Sequence, residues 1–357
     1  MSTPIPVHMM TASLVPGDAI GNYILTLKRI LEELGFRVSL YADHVAPAYG
    51  HIARLSEDYH PSGGILWYHY SIYADNLALV QSPVDYRIMD FQSVSPPRLF
   101  KGYDAHLTQL CQRGIEVLPT FRDHFDLCIV HSEYTRVELL AHGYRRVEKV
   151  PMVVDRKRFD GREDEALSRW LKALNYMLFV GRIVPQKDIL GMLEIFARLH
   201  ARRPDVTLIL VGGRHLAPGY QRRIDATVDR LGLNARVLLT GQISDPSMLT
   251  SLYRHARFTI ITSEWESFCV PVVESMTFGT PIVAHNIPPL PEVLGDAGVL
   301  INKQDQDATA ATIDTLWDDA AAYGRLQRAC VQRTPLFTAP ALRCNLLRVF
   351  QRVFANG

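Results

Sequence analysis

The chain has 357 residues, and its 38 lysine and arginine residues nearly balance its 37 aspartate and glutamate residues. This balance argues against a nucleic-acid-binding protein, which usually carries a marked basic excess. No apolar stretch approaches the roughly 20 residues needed to cross a bilayer, so any membrane contact is expected to be peripheral. Residues 1–10 lack the pattern of a signal peptide. The five cysteines are widely spaced without a CxxC pair, which is typical of free thiols in a reducing cytoplasm.

The first half of the chain alternates between short apolar runs and helical periodicity. An apolar run at 6–12 precedes a turn-rich stretch at 15–22, and apolar residues then recur at helical spacing up to Gly35, which suits a helix C-terminus. Residues 38–42 alternate as in a strand. This order predicts a parallel sheet with helices on its faces. Further strands are predicted at 64–68, 86–91, 127–131 and 148–153.

A second alternation of the same kind follows the charged stretch 155–175, which we interpret as a link between domains with a short helix. Its strands are predicted at 176–180, 206–211, 236–239, 258–262, 281–285 and 298–302. An amphipathic pattern at 342–353 closes the chain. Because the chain is longer than one hydrophobic core usually supports, the sequence predicts two α/β domains that face each other across a ligand-binding cleft.

The most informative segment is 263–274, which follows an apolar strand and runs into a helix. Pro271 suits the first helical turn, and Gly279 suits the helix end. Glu266 is therefore expected in the loop at the carboxyl end of the strand, and Glu274 about one turn into the helix. Carboxylates in these positions can accept hydrogen bonds from the vicinal hydroxyls of a sugar or a ribose. On spacing alone, a loop charge and an acid favoured by the helix dipole explain the pattern equally well.

Glu266 and Glu274, with seven residues between them, resemble the EX7E motif of retaining GT-B glycosyltransferases, in particular glycosyltransferase family 4. The downstream segment 290–298 also resembles that family. The resemblance implies that Glu266 contacts hydroxyls of the donor sugar and that Glu274 binds the ribose of the nucleotide. Family members often carry glycines where this chain has Ser267 and Cys269, so we expect a differently shaped sugar pocket. The resemblance assigns donor binding to Glu274, Gly181, Phe268, Cys269, Val270, Gly241 and Ile243.

A second group combines Gly181 and Arg182 with Lys187, at the end of a strand and the start of a helix. Two cations beside a helix N-terminus suit a diphosphate leaving group, although solvated surface charge is the common alternative. Members of the resembled family place a Gly-Arg pair and a downstream lysine on the β-phosphate, which implies catalytic roles for Arg182 and Lys187. That lysine is usually followed by glycine, and Asp188 takes this place here.

The loop after the first strand is rich in glycine. Its spacing is Gly-x-x-x-Gly rather than the G-x-G-x-x-G of dinucleotide-binding proteins, although Asp43 after the second strand would suit a dinucleotide ribose. In the resembled family this loop approaches the donor phosphate and the acceptor. The resemblance therefore implies such a role for Gly17, Asp18 and Gly21.

His69 follows the apolar run at 65–68. A lone histidine is more often packed than catalytic, but the resembled family commonly places a histidine here, near C6 of the donor sugar. The resemblance thus adds His69 to the catalytic set of Glu266, Arg182 and Lys187.

Asp305 and Asp307 form a DXD string, which holds a divalent metal in GT-A enzymes. The string precedes a predicted helix in this sequence, so helix capping is the favoured interpretation. We therefore expect neither a metal nor another cofactor.

The resemblance implies a GT-B fold of two Rossmann-like domains. An acceptor domain at 1–155, a link at 156–175 and a donor domain at 176–335 are followed by a helix at 336–357 that packs towards the first domain. The implied reaction is metal-independent, retaining transfer of a hexosyl group from a UDP- or GDP-linked donor to a hydroxyl acceptor. A carbohydrate or lipid-linked acceptor would suit cell-surface polysaccharide or glycolipid assembly at the inner face of the membrane.

Three other functions remain open. A nucleotide-sugar epimerase would release a free epimerised sugar from a single donor. An NAD-dependent oxidoreductase would use the Gly17 loop with Asp43, and would bind NADH but neither UDP nor GDP. A non-catalytic sugar-nucleotide-binding protein would bind the donor without hydrolysing or transferring it.

Overall fold

The computed structural model describes residues 4–61, 63–159, 162–213 and 217–354. These residues separate into two compact units. The first takes its described residues from Met1–Arg98, Ala105–Val153 and Ala339–Gly357, and the second takes them from Leu99–Asp104 and Val154–Thr338. The side chain of Val353, which the sequence assigns to the amphipathic face of the last helix, lies outside the described part.

The first unit is built on a seven-stranded parallel sheet with the order β3-β2-β1-β4-β5-β6-β7. Its strands are β1 Pro6–Leu14, β2 Arg37–Val45, β3 Arg54–Leu55, β4 Ile65–Tyr70, β5 Tyr86–Phe91, β6 Leu127–Val130 and β7 Val147–Lys149. Its helices are α1 Ala19–Glu33, α2 Ala105–Val117, α3 Glu133–Ala141 and α12 Ala339–Phe354. Every residue of β4 is buried, as expected for a strand of a parallel sheet covered on both faces.

Helix α1 begins and ends where the sequence predicts. Asp18 is its N-cap, since a carboxylate oxygen accepts the N–H of Gly21. Gly35 follows its last turn with a φ of +94°, a conformation that glycine adopts without steric cost. The C-terminal helix α12 packs against α1, and Phe350 contacts the rings of Phe36 and Trp67.

The second unit is built on a six-stranded parallel sheet with the order β10-β9-β8-β11-β12-β13. Its strands are β8 Asn175–Val180, β9 Val206–Val211, β10 Val237–Gly241, β11 Phe258–Ile261, β12 Ile282–His285 and β13 Gly298–Ile301. Its helices are α4 Glu165–Leu171, α5 Ile189–Arg202, α6 Pro218–Arg230, α7 Pro246–His255, α8 Val270–Thr277, α9 Leu290–Leu294, α10 Gln306–Asp318 and α11 Ala320–Arg333.

The two parallel sheets confirm the predicted α/β architecture. The charged stretch 155–175 contains α4, which packs against α7 of the second unit because Asp164 and Ser168 bond to Ser251. In the second unit, α5 buries Leu193 and Phe196 in the hydrophobic core. All strands of this sheet are parallel, so the loops that follow β8 to β13 emerge at one edge. Among the described helices, none combines the length and the apolar character required to cross a membrane.

Candidate active site

Two loops of the second unit are fastened together at the carboxyl edge of its sheet. They follow β8 and β11, which are hydrogen-bonded neighbours. The hydroxyl of Thr262 donates to the carbonyl oxygens of Lys187 and Asp188, each at 3.1 Å. The N–H of Glu264 donates to the carbonyl of Gln186 at 2.9 Å. The side chains at 187 and 266 are thereby held on two adjoining segments of backbone.

A partly buried ion pair joins these two loops. The Nζ atom of Lys187 lies 2.6 Å from Oε1 of Glu266, and the hydroxyl of Ser263 donates to the same oxygen at 2.7 Å. Only 4% of Glu266 is exposed. A carboxylate bound by a lysine and a serine has a fixed orientation, which suits a group that accepts hydrogen bonds from a ligand. The sequence predicts both residues as site residues, and the structure brings them together.

Cys269 lies beside this pair in a conformation that side-chain-bearing residues seldom adopt. Its φ of +78° and ψ of 71° are left-handed, at the N-cap of α8. Burial raises the pKa of its thiol well above the usual value, and the Glu266 carboxylate adds to the effect. The thiol therefore stays protonated at neutral pH and is a packing group rather than a nucleophile. The resembled family often has glycine at this position, and the backbone here keeps the conformation that glycine favours.

Glu274 has a separate anchor. Its Oε2 accepts the hydroxyl proton of Tyr253 at 2.8 Å, and only 5% of the residue is exposed. The ring of Tyr253 stacks on Phe278, with centroids 5.5 Å apart. Pro271 lies in the first turn of α8 and Gly279 follows its end with a φ of +72°, both as predicted. Phe268 is buried against Phe337.

A glycine, which has no side chain, lies at the carboxyl end of each of three neighbouring strands. Gly181 follows β8, Gly212 follows β9, and Gly241 ends β10 with a φ of +75°. A Cβ atom on Gly212 would lie 1.8 Å from the carbonyl oxygen of Gly181, so only glycine fits there. The sequence predicts Gly181 and Gly241 as site residues but misses Gly212, although two consecutive glycines after a strand were a usable signal. Ile243, in the loop after β10, is half-buried.

Arg182 and Asp188 mark the two ends of the loop after β8. The side chain of Arg182 is exposed and has no hydrogen bond or ion pair with any residue that the structure describes. Asp188 adopts a left-handed φ of +46° and caps α5 by accepting the N–H of Gly191 at 3.1 Å. The aspartate that replaces the usual glycine thus keeps a glycine-like backbone and adds a cap.

Lys303 is a buried cation that no sequence motif indicates. It follows β13, is 3% exposed, and its ammonium group binds Asp188 and Glu264. A lysine directly after a strand was its only signal, because its partners lie 115 and 39 residues away in the sequence.

In the first unit, the predicted phosphate loop after β1 is held by an internal hydrogen bond. Asp18 accepts the N–H of Gly21 at 2.9 Å, so this amide is already satisfied. Gly17 is exposed and has a φ of +80°. Gly21 lies in the first turn of α1, and a Cβ atom on it would lie 3.3 Å from Leu14, so this glycine allows close packing of the helix start against β1.

His69 is a fully buried residue beside an aspartate. Its Nδ1 lies 3.7 Å from Oδ2 of Asp90, and neither ring nitrogen has a hydrogen-bond partner among the described residues. Trp67 and Tyr23 donate to the same carboxylate oxygen, at 3.1 and 3.3 Å. His69 is therefore a member of a buried polar cluster that the sequence predicts only in part.

The other oxygen of Asp90 binds Gln92 and His131. The Gln92 amide donates to it at 2.5 Å, and Nε2 of His131 lies 2.8 Å away. Nδ1 of His131 lies 2.8 Å from the carbonyl of Val150, which can only accept, so Nδ1 carries a proton. Burial alone would raise the pKa of Asp90, but His131 and His69 outweigh it and hold that pKa well below the usual range. Asp90 is thus an ionised, buried centre of the cluster.

The DXD string is a helix cap, as predicted. Asp305 accepts the N–H of Ala308 at 3.0 Å and begins α10, and Asp307 pairs with Arg198 at 3.1 Å. Within the part of the chain that the structure describes, no three or more His, Cys, Asp or Glu side chains form a group suited to a metal ion.

Residues 162–334, which include both loops of the site, match the family model described as "Glycosyl transferases group 1". Over this segment the chain is similar to the group 1 glycosyltransferases. A 147-residue segment, 41% of this chain, is 34% identical to the O-antigen chain mannosyltransferase B of Escherichia coli and covers 38% of that protein. A 250-residue segment, 66% of this chain, is 25% identical to the D-inositol 3-phosphate glycosyltransferase of Corynebacterium glutamicum and covers 59% of it. The matches thus span between about two fifths and three fifths of these two relatives.

Solved structures extend the likeness from this segment to the fold of the whole chain. The sucrose-phosphate synthase from Thermosynechococcus elongatus is similar with a TM-score of 0.76 at 19% identity, over 99% of this chain and 100% of that one. Anabaena HepE in complex with UDP-glucose gives a TM-score of 0.75 at 17% identity, over 98% of this chain and 100% of that one. The fold is therefore GT-B, as the sequence predicts.

Proposed function

We propose that this protein is a retaining glycosyltransferase that transfers a hexosyl group from a UDP- or GDP-linked donor to a hydroxyl acceptor. The observation that carries the proposal is the partly buried Lys187–Glu266 pair, 2.6 Å apart, on two loops at the carboxyl edge of a parallel sheet. Ligands of such folds bind at this edge. The match to the group 1 family over 162–334 supports the same assignment.

Each site residue has a role that its environment suits. Lys187 and the exposed Arg182 supply positive charge for the diphosphate, beside the N-terminus of α5. The oriented carboxylate of Glu266 accepts hydrogen bonds from sugar hydroxyls, and Glu274 on α8 binds the ribose. Gly181, Gly212 and Gly241 let the nucleotide approach bare backbone. In the first unit, the family resemblance assigns a catalytic role to His69.

The proposed chemistry is substitution at the anomeric carbon from the face that the diphosphate leaves. The bond between the anomeric carbon and the phosphate oxygen breaks, and the bond to the acceptor oxygen forms on the same face. The acceptor proton passes to an oxygen of the departing diphosphate. Lys187 and Arg182 stabilise the charge that develops on that group, so the mechanism needs neither an enzymic nucleophile nor a metal.

The relatives suggest the class of product. One is named an O-antigen chain mannosyltransferase and another a D-inositol 3-phosphate glycosyltransferase. We propose a carbohydrate or lipid-linked acceptor and a place in cell-surface polysaccharide or glycolipid assembly, with peripheral membrane contact. Anabaena HepE was solved with UDP-glucose, which makes UDP-glucose one donor to test.

The test is a donor incubation followed by NMR. UDP-glucose and GDP-mannose are each incubated with the protein, with and without a panel of sugar acceptors and with EDTA in a parallel set. The proposal predicts a glycoside with the anomeric configuration of the donor, formed equally in EDTA. A free epimerised sugar would indicate an epimerase, inversion would contradict the mechanism, and loss of activity in EDTA would contradict metal independence.

A further inference from the structure

Lys303 uses all of its hydrogen-bonding capacity inside the protein. Its Nζ donates to Oδ2 of Asp188 at 2.6 Å, to Oε1 of Glu264 at 2.5 Å and to the carbonyl of Thr262 at 3.1 Å. An ammonium group has three protons, and each has one acceptor here. Lysine is almost never fully buried unless it is paired, and Lys303 is 3% exposed. The ammonium group of Lys303 is therefore bound entirely by protein atoms, which indicates a structural or electrostatic role at this place.

The three acceptors lie on the two loops that carry the Lys187–Glu266 pair. Asp188 directly follows Lys187, and Glu264 lies two residues before Glu266. Thr262, whose carbonyl binds Lys303, also donates its hydroxyl to the carbonyls of residues 187 and 188. Lys303 itself lies on a third segment, just after β13, and its ammonium group therefore holds both loops in position.

The position of Asp188 depends on this contact. Its carboxylate lies between the N–H of Gly191 and the ammonium group of Lys303. A Cβ atom at residue 191 would lie 2.4 Å from Oδ2 of Asp188, so a glycine is needed for the approach. The left-handed backbone of Asp188 and its two bonds define the turn on which Lys187 lies.

The positive charge of Lys303 also affects the electrostatics of the proposed donor site. Asp188 and Glu264 put two carboxylates next to a site proposed to bind a diphosphate. Lys187 is paired with Glu266, so Lys303 is the cation that offsets these two acids in the described contacts. Without it, two partly shielded negative charges would oppose an anionic ligand, because a partly buried charge is screened less than an exposed one.

We propose that Lys303 is a positioning residue of the donor site. It holds the loops after β8 and β11 so that Lys187 meets Glu266, and it offsets the acidic charge of Asp188 and Glu264 that would repel the diphosphate. The inference rests on the proposed function, since it assigns Lys303 to the same donor site.

The experiment compares Lys303→Met with Lys172→Met, which removes an exposed lysine from the same unit. Calorimetry measures the Kd values of UDP, UMP, GDP and GMP, and thermal denaturation checks folding. We expect Lys303→Met to weaken binding of the preferred diphosphate at least tenfold and that of its monophosphate by less. Lys172→Met should bind as the wild type does. A purely structural role would not change the preference for the diphosphate.

Two further variants test the charge role directly. Asp188→Asn keeps a residue that tolerates the left-handed backbone and caps a helix, but removes one charge. The double variant Asp188→Asn/Lys303→Met should bind the diphosphate at least threefold more tightly than Lys303→Met does. Glu264→Gln changes a side chain that is 39% exposed and should tighten diphosphate binding in the wild-type background. If Lys303→Met does not fold, Glu264→Gln tests the charge role of Lys303 on its own.

The outcomes separate the inference from the proposed function. If the wild type binds none of the four nucleotides, the proposed function fails. If the wild type binds a diphosphate and folded Lys303→Met binds it equally well, the inference about Lys303 is overturned and the proposed function stands. If Lys303→Met does not fold, unchanged or weaker binding by Glu264→Gln overturns the inference.

Discussion

Nζ of Lys187 and Oε1 of Glu266 lie 2.6 Å apart although 79 residues separate them in the sequence. The pair forms because β8 and β11 are neighbours in a parallel sheet, so that the loops after them emerge side by side. Ser263 and Lys303 then hold the Glu266 loop from two directions. The proposed donor site depends on this pair.

Glu266→Ala is expected to reduce turnover more than nucleotide binding. The carboxylate is assigned to the transferred sugar, and loss of one oriented group that stabilises a transition state costs about 10²–10³ in kcat. Steady-state kinetics and calorimetry with the same nucleotide measure the two effects. The control is Ser263→Ala, which removes only the hydroxyl that bonds to Glu266 and should lower kcat about tenfold or less. A large loss of UDP or GDP binding in Glu266→Ala would contradict the assignment.

Glu274→Ala is expected to have the opposite profile. Hydrogen bonds to a charged group contribute about 1.5–3 kcal/mol, so losing the ribose contact should weaken nucleotide binding about 10- to 100-fold. Turnover at saturating donor should change little. Tyr253→Phe removes the hydroxyl that holds this carboxylate and should cause a smaller loss of affinity. Equal nucleotide Kd values for the wild type and Glu274→Ala would refute the role.

Replacing Cys269 by glycine should cost little stability. The left-handed backbone at a side-chain-bearing residue costs about 1–2 kcal/mol, and glycine removes that cost. Cys128 is the matched control, since it is equally buried but lies in the regular strand β6. Cys128→Gly should lower the free energy of unfolding by about 2 kcal/mol. The variant loses the packing of the buried side chain, and glycine gives the unfolded chain more conformational entropy. Chemical denaturation measures both, and equal losses would show that Cys269 is unstrained.

Asp90→Asn should destabilise the protein and change its response to acid. The pKa of Asp90 is lower in the folded protein than its value of about 3.9 in an unfolded chain. Its ionisation therefore stabilises the fold above that unfolded value, and this contribution is lost as the pH falls towards the folded pKa. Loss of the charge at pH 7 should cost about 3 kcal/mol, because a buried pair is broken.

The wild type should thus lose stability from about pH 5 downwards more steeply than Asp90→Asn does. Chemical denaturation between pH 3 and 7 measures the slope. Asp123→Asn, at an exposed pair with Arg122, should follow the wild type at every pH. Parallel acid profiles for the wild type and Asp90→Asn would contradict the account of the cluster.

The strands and the EX7E segment could be predicted because their signals are local. The strands at 86–91 and 206–211 have the same limits in sequence and structure, because both are mostly apolar, as expected for a strand covered on both faces. The helix start at Pro271 and its end before Gly279 follow from backbone preferences of single residues. The two-residue edge strand β3 is missed because both its residues are exposed and form no pattern.

Residues whose role depends on strand order could not be predicted. Lys303 acts at the site because β13, β12 and β11 are neighbours, and no local pattern reveals that order. The same holds for Gly212, whose lack of a Cβ matters only because β9 adjoins β8. His69 is predicted from a resemblance, whereas its burial beside Asp90 follows from the pairing of β4 with β5.

The most direct test of the central claim is nucleotide binding to the wild type and to Lys187→Met. A thermal-shift panel of UDP, GDP, ADP and their sugar conjugates identifies the bound base, since a ligand that binds the folded state raises the Tm. We predict that a uridine or guanosine diphosphate raises the Tm of the wild type and that Lys187→Met loses most of this shift. The account is contradicted if no nucleotide shifts the wild type, or if Lys187→Met is folded and shifts as far as the wild type.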